Sequence, residues 1–383
     1  MERLHSIPRA DWRAKVESHG LLFHTTPDGT VEGQPYWNEE VYYRFTSHEI
    51  ETLESATTEL HRICLEAVQH IIDQNLFDRL RIPAQAIEPT KWAWEAEPPS
   101  IYGRFDLAYD GKNPPKMLEY NADTPTALLE ATAIQWHWLE EVFPTCDQFN
   151  SIWDGFIEYW RWCRDNKFLK SDVVHFAHTQ SIEDMMTVTL IRDAATQVGI
   201  PTKALHMQEI GWDSSKNCFV DVHNKPIRTI FKLYPWEWLI HDDFGKYAID
   251  TYQDVQWIEP IWKMILSNKG ILAILWEIFP NHPNLVESYI DRSQNMSEYV
   301  RKPLLSREGA NITIKRAGSL ERTDGEYGGE GFVFQQYVEL PNFNGHRPVI
   351  GSWVIDGVAR GIGVRECNTL VTDNFSRFVP HLF

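Results

Sequence analysis

The sequence predicts a mixed α/β (α+β) fold whose lobes are closely joined. Helical and strand periodicities alternate as far as Pro280, and from Val300 onward the pattern turns β-rich. No internal repeat or low-complexity linker interrupts them, and helices layered on sheets are what such a mixture produces. At 383 residues the chain can bury a large core. Domains of roughly 100–200 residues allow two or three lobes.

The clearest helix spans residues 46–75. Thr46 and Glu49 form a capping-box pattern. Ile50, Leu53, Leu60, Ile63, Ala67, Val68, Ile71 and Ile72 then recur at helical spacing. Residues 101–121 read as strand, turn and strand, with DGKNPP (110–115) supplying the turn. Residues 126–141 read as a helix. A short strand at 172–177, a helix over 183–198 stopped by Gly199 and Pro201, and a strand at 203–205 make 170–225 a small α/β unit. Residues 227–233 form another strand, followed by a tryptophan-rich segment. Residues 258–279 mix helix and turn, and ILAILWEIF (271–279) is a buried helix too short to span a membrane. A glycine cluster at 325–331 leads into strands at 331–338, 347–355 and 358–365.

The strand–turn–strand segment carries the densest chemistry. Arg104 and Asp106 stand two apart on its first strand and so share a face. Glu119 and Asn121 repeat that spacing on the second. If the strands pair, three oxygen ligands and a guanidinium converge. Asp, Glu and Asn oxygens suit a hard cation such as magnesium, which shares phosphates with its substrate. Arg104 is shaped to grip phosphate or carboxylate oxygens bidentately. On spacing alone, a surface hairpin with ordinary charges is the alternative.

Further on, Lys232 sits on a strand, and Lys302 precedes Pro303 and the loop SREGANI (306–312). A strand-borne lysine and a loop containing Gly309 let an ammonium and backbone N–H groups surround a polyphosphate. Arg307 would add charge when that loop closes. The strand 330–338, with Gln335 and Gln336 near its end, suits an adenine edge. None of this matches a Walker A or kinase loop. Taken singly, each lysine also reads as a solvated strand edge.

Composition sets the outer bounds. The formal charge of −18 disfavours nucleic acid as a partner and favours a cationic substrate such as a polyamine or basic amino acid. The five cysteines include no CxxC pair, which argues against a structural zinc site or a disulfide framework and fits a reducing cytoplasm. The amino end, MERLHSIPRADWRAKVESHG, lacks the apolar stretch of a secretion signal, and no apolar run of about 18 residues appears. Sixteen tryptophans point to thick aromatic packing or a broad groove.

Several long motifs carry a family resemblance. YGRFD…LEYNADTPTALLEA, FKLYPWEW, EPIWKMILSNKGILAILWEIFPNHP, KPLLSREGANI, FVFQQYVELP and GIGVRECNTLVTDNFSRFVPH resemble, in order and over nearly the whole chain, the synthetase module of glutathionylspermidine synthetase. The likeness is strongest to its stand-alone bacterial relatives, which are ATP-grasp carbon–nitrogen ligases. It implies an ATP-grasp fold with an accompanying pre-ATP-grasp α/β unit, in one module over residues 1–383. Within that module, 1–225 would carry the metal hairpin (101–121) and the small α/β unit (170–225). Residues 226–383 would bind nucleotide and carry a mobile loop (306–312). Bifunctional relatives have an amino-terminal amidase domain. Here the synthetase-like pattern begins by about Asp11–Trp12 without an early Cys/His pair, so that domain is not expected.

In the family, ATP phosphorylates a carboxylate and an amine attacks the acyl phosphate, leaving an amide, ADP and phosphate. The resemblance places magnesium on Asp106, Glu119 and Asn121, and the reacting carboxylate and transferring phosphoryl group on Arg104. It gives nucleotide phosphates to Lys232 and Lys302, the mobile loop's cation to Arg307 and a second active-site arginine to Arg365. Gln336 falls in the adenine strand. Thr124 and Thr126 fall on the acid substrate's terminal carboxylate, and Glu183 and Asp184 near the amine. The implied substrates are a glutathione- or peptide-like acid and a polyamine- or amino-acid-like amine. The alternative is an ATPase or ATP-binding regulatory protein that has lost the synthetase activity. Retention of Arg104, Thr124, Thr126 and Arg365, all on the acid side, argues for the ligase.

Overall fold

Five antiparallel strands, in the order Arg377–Val379, Val358–Cys367, Arg347–Ile355, Tyr102–Ala108 and Lys116–Asn121, form the sheet that carries the predicted hairpin. The structure is a computed structural model describing residues 1–25, 35–371 and 376–383; positions 372–375 of the C-terminal motif lie outside the described residues. Asp106 faces Glu119 and Arg104 faces Asn121 across the hairpin, with a register shift just after Asp106.

Helix Ser47–Asp73 lies along this sheet. It begins with the expected capping box: Glu49 N–H donates to Thr46 Oγ1, and Thr46 N–H donates to the Glu49 carboxylate at 2.7 Å. Its apolar stripe is buried, and the Thr57 and Ser352 hydroxyls tie helix to strand at 2.6 Å.

A second sheet of four parallel strands runs Gln256–Ile258, Thr229–Leu233, Val174–His178, Thr202–His206. The small α/β unit expected over 170–225 therefore continues through two later strands. A third, antiparallel sheet runs Ser288–Ile290, Phe332–Gln336, Tyr299–Pro303, Thr313–Arg316, Ser319–Arg322. The first sheet takes strands from both sides of residue 226, so the two expected parts interleave.

The helix expected over 126–141 starts late. Pro125 and Ala127, the latter in the left-handed region at φ 60°, hold an irregular loop. The chain then opens a π-helical turn at Glu130–Ile134 before the α-helix Gln135–Val142. Helices Ala84–Ala96 and Ile152–Asp165, and the amino-terminal strands Glu2–His5 and Val41–Arg44, were not anticipated from sequence. Trp37, Trp138, Trp160 and Trp353 are fully buried, which favours packing over a groove lining for these tryptophans. No helix among the described residues is long and apolar enough to cross a membrane.

Candidate active site

The hairpin's register builds one wall of a cleft of about 410 Å³. Alternation along the strands puts Arg104, Asp106, Glu119 and Asn121 on the face that lines it. Gly351, opposite Asp106, keeps that face open: a Cβ there would stand 2.9 Å from Arg104 Cδ. Across the cleft stand the strands Tyr299–Pro303 and Phe332–Gln336, the loop after Pro303, and the start of helix Ile182–Gln197.

Cations crowd the hairpin end. Arg104 Nε donates to Asp106 Oδ1 at 2.8 Å and its Nη1 to the Thr126 carbonyl at 2.6 Å. Arg365 Nη2 donates to Asp106 Oδ2 at 2.6 Å. Lys269 Nζ stands 2.9 Å from Glu119 Oε2 and donates to the Ser306 carbonyl at 3.0 Å. Lys302 Nζ donates to the Leu118 carbonyl at 2.9 Å and to Gln335 Oε1 at 2.8 Å. Burial alone would raise the Glu119 carboxyl, but Lys269 and Lys302 outweigh it and hold Glu119 below the usual carboxylate range. Burial brings Lys302 down to about 8, against the pull of Glu119 and with the help of Lys269. Four cations face two carboxylates here, leaving two positive charges in excess for an anionic ligand.

The opposite end is acidic. Glu183 and Asp184 occupy the first turn of their helix, capped by Ser181, and both are pushed up by burial. A helix N-terminus favours such residues in any case. Between the two ends, Arg307 Nη1 donates to Thr124 Oγ1 at 2.8 Å and Nη2 to Glu237 Oε1 at 3.3 Å, so the loop already spans the cleft. Gly309 in that loop takes φ 69°, a left-handed value glycine adopts without cost. Thr126 lies beside Glu183, whose carboxylate its hydroxyl reaches. Leu118, Val300, Ile314, Val338, Leu340 and Val349 form an apolar slot at the cleft's edge, suited to a flat ring.

One expected residue lies elsewhere. Lys232 does not line the cleft: it is fully buried, and its Nζ is held by Asp123 Oδ1 and the Tyr234 carbonyl, each at 2.8 Å. Its neighbour Leu233 on the same strand lines the cleft instead. Lys269, which sequence reasoning passed over inside SNKG, takes the place beside Glu119. Gln335, 2% exposed, turns to Lys302 and the Met117 carbonyl, and Gln336, exposed, lines the cleft beside it. The spacing of a lysine from its neighbours held no signal that separated Lys269 from Lys232.

Among the described residues no three His, Cys, Asp or Glu side chains gather as a metal site. The hairpin instead offers two carboxylates and one amide, the oxygen chemistry a hard divalent cation takes, with Asn121 Nδ2 donating to Glu119 Oε1 at 3.0 Å.

The family model described as glutathionylspermidine synthase preATP-grasp matches residues 3–383. A provisionally named acid–amine ligase of Haemophilus influenzae is 39% identical, with all of both chains covered. Trypanothione synthetase of Crithidia fasciculata is 28% identical over 84% of this chain and 53% of its own. The bifunctional glutathionylspermidine synthetase/amidase of Escherichia coli is 26% identical over 88% of this chain and 58% of its own. The chain thus spans a little over half the length of these last two. A glutathione synthetase-like effector of Globodera pallida superposes with a TM-score of 0.58 at 9% identity, covering 97% of this chain and 96% of that one, a likeness of fold alone.

Proposed function

Because the chain belongs to the glutathionylspermidine synthase preATP-grasp family, we propose that it is an ATP-dependent acid–amine ligase whose chemistry runs along the polarised cleft. The observation that carries the reading is that polarity. A cationic end fits ATP phosphates and an acid, an acidic end fits an amine, and Arg104 stands where the two meet.

A carboxylate is a poor acyl donor because its leaving group would be oxide, and phosphorylation supplies a better one. In this reading Lys269 and Lys302 hold the polyphosphate, and the apolar slot with the edge of strand Phe332–Gln336 holds the adenine. Arg104 clamps the reacting carboxylate and stabilises the phosphoryl group in transit, mostly by positioning and electrostatics. Arg365 and Arg104 then stabilise the oxyanion of the tetrahedral intermediate. Thr124 and Thr126 take the acid's far carboxylate, and Arg307 with Gly309 covers the phosphates. Glu183 and Asp184 receive the amine. Magnesium held by Asp106, Glu119 and Asn121 would neutralise charge on the β- and γ-phosphate oxygens. Residues 226–383 then supply most nucleotide contacts, and residues 1–225 the metal hairpin and the amine end. The acid is glutathione- or peptide-like, the amine polyamine- or amino-acid-like, and the setting cytoplasmic.

The test is ADP release by the purified protein with ATP and magnesium chloride. Glutathione and spermidine form the first pair, pooled acids and amines follow, and products are weighed by mass spectrometry. ADP formation that needs both an acid and an amine, with an amide of matching mass, supports the ligase. ADP release indifferent to both would favour the ATPase.

A further inference from the structure

Three cleft-lining segments, distant in the chain, meet at a buried carboxylate to which the ligase reading gives no task. Asp123 is fully buried and stands directly ahead of Thr124. Its Oδ2 accepts the Trp236 N–H at 2.9 Å, and its own N–H donates to Ser267 Oγ at 2.9 Å. Its Oδ1 takes the Lys232 ammonium, which also stands 4.8 Å from the centre of the Trp236 ring. Trp236 opens the short helix Trp236–Leu239, and the first N–H groups of a helix find no partner inside it.

The residues next to these contacts face the cleft and converge on Arg307. Thr124, adjacent to Asp123, accepts from Arg307 Nη1 at 2.8 Å. Glu237, adjacent to Trp236, accepts from Nη2 at 3.3 Å, and the Trp238 ring lies 5.2 Å from the same guanidinium. Two positions beyond Ser267, Lys269 pairs with Glu119. Pairing with Lys232 occupies one oxygen of Asp123. The other goes to the backbone of the helix that carries Glu237 and Trp238.

We infer that Asp123 is a positioning residue for the ligation, a role that rests on the ligase reading. Through the Trp236 N–H its carboxylate fixes Glu237 and Trp238 against Thr124. Arg307 is thereby held over the acid and the transferring phosphoryl group. Asp123 touches no substrate itself. Its tie to the Lys269 segment runs through its backbone N–H, so replacing the side chain leaves the phosphate lysine in place.

Removing Asp123 alone would leave the Lys232 ammonium buried and unpaired, which destabilises the fold whatever the role. Two double variants avoid that. Asp123→Asn with Lys232→Met keeps an amide oxygen for the Trp236 N–H, whereas Asp123→Ala with Lys232→Met does not. Both lack the ion pair, so a merely structural role moves them alike. With glutathione and spermidine as substrates, the alanine variant should lower kcat/KM for glutathione by about tenfold or more, since small misplacements are amplified in rate. Its calorimetric Mg–ATP affinity should not change, and the asparagine variant should stay close to wild type. Equal losses in the two variants, or weaker ATP binding in the alanine variant, overturn the inference.

Hydrogen exchange of the ligand-free protein, followed by mass spectrometry, reads local opening apart from turnover. Peptides over 235–239 and 304–312 should exchange faster in the alanine variant than in the asparagine variant or wild type. Unmoved exchange over 304–312 overturns the tie to Arg307. Should the alanine variant not fold, the asparagine variant decides: wild-type exchange and kcat/KM support the inference, and a folded protein with a large loss overturns it. If wild-type protein forms no amide from pooled acids and amines, the ligase reading fails, and hydrogen exchange still decides whether Asp123 holds the loop.

Discussion

Arg104 is held on three sides before any ligand arrives, by Asp106, by the Thr126 carbonyl and by the Trp353 ring 5.6 Å away. A planar fork fixed in this way is aimed at substrate oxygens, and lysine cannot reproduce it. Arg104→Lys should therefore bind Mg–ATP about as well as wild type. It should form acyl phosphate more slowly by on the order of a hundredfold, since only a transition-state contact is lost. Calorimetric ATP affinity beside single-turnover rates checks this, and weaker ATP binding with normal turnover would reassign the residue to the nucleotide. Lys232 calls for the opposite outcome. Its removal leaves Asp123 buried and unpaired, and breaking such a pair costs about 3–5 kcal/mol. Lys232→Met should lower the denaturation midpoint sharply while whatever remains folded keeps its ATP affinity. A stable variant with poor ATP binding would restore Lys232 to the phosphates.

At the scale of elements, the antiparallel sheet delivers the site by register alone. Asp106 meets Glu119 on one side and Gly351 on the other, and the missing side chain at Gly351 gives the Arg104 stem its room. Gly351→Ala adds a Cβ 2.9 Å from Arg104 Cδ, and the flexible end of Arg104 yields more easily than the sheet. The variant should melt within a few degrees of wild type and yet lose activity by about tenfold or more, because small misplacements of a clamping residue are amplified in rate. Unchanged activity would show that Arg104 needs no such room. These elements were largely legible. The capping box at Thr46, the hairpin's turn and the two strands 347–355 and 358–365 appear nearly where periodicity put them. The late start of the helix after Ala127 was not legible, because a left-handed alanine carries no mark in the sequence.

Two buried histidines couple the stability of the whole molecule to pH. His381 is fully buried on the C-terminal strand His381–Leu382; its Nδ1 lies 2.9 Å from Gln135 Oε1, and burial pushes it down to about 3. His61 is likewise brought down to about 4 by burial, with Lys263 adding to it. Both are bases whose folded pKa lies below the unfolded value, so the unfolded chain takes up protons first as pH falls. Their contribution is whole above about pH 6.5 and is lost progressively below it, at about 1.4 kcal/mol per pH unit for each group until the folded pKa is reached. Denaturant titrations should therefore show stability falling by about 3 kcal/mol from these two groups between about pH 6.5 and pH 5. His381→Asn should flatten about half of that slope. An unchanged slope in the variant would mean that other groups govern the acid limb.

Spacing by itself determined what lies within one strand or one helix turn: that Arg104 and Asp106 share a face, that Glu119 and Asn121 share another, and that Thr46 starts a helix. Those relations depend on local geometry with a fixed period. Only the tertiary structure decided that Lys269 and not Lys232 lines the cleft beside Glu119, and that Gln335 turns to Lys302. Lys232 is neutralised by Asp123, 109 positions earlier in the chain, and Lys269 by Glu119 on the hairpin. A side chain's charge, burial and partner are set by residues that folding brings beside it, and no period in the sequence encodes that distance.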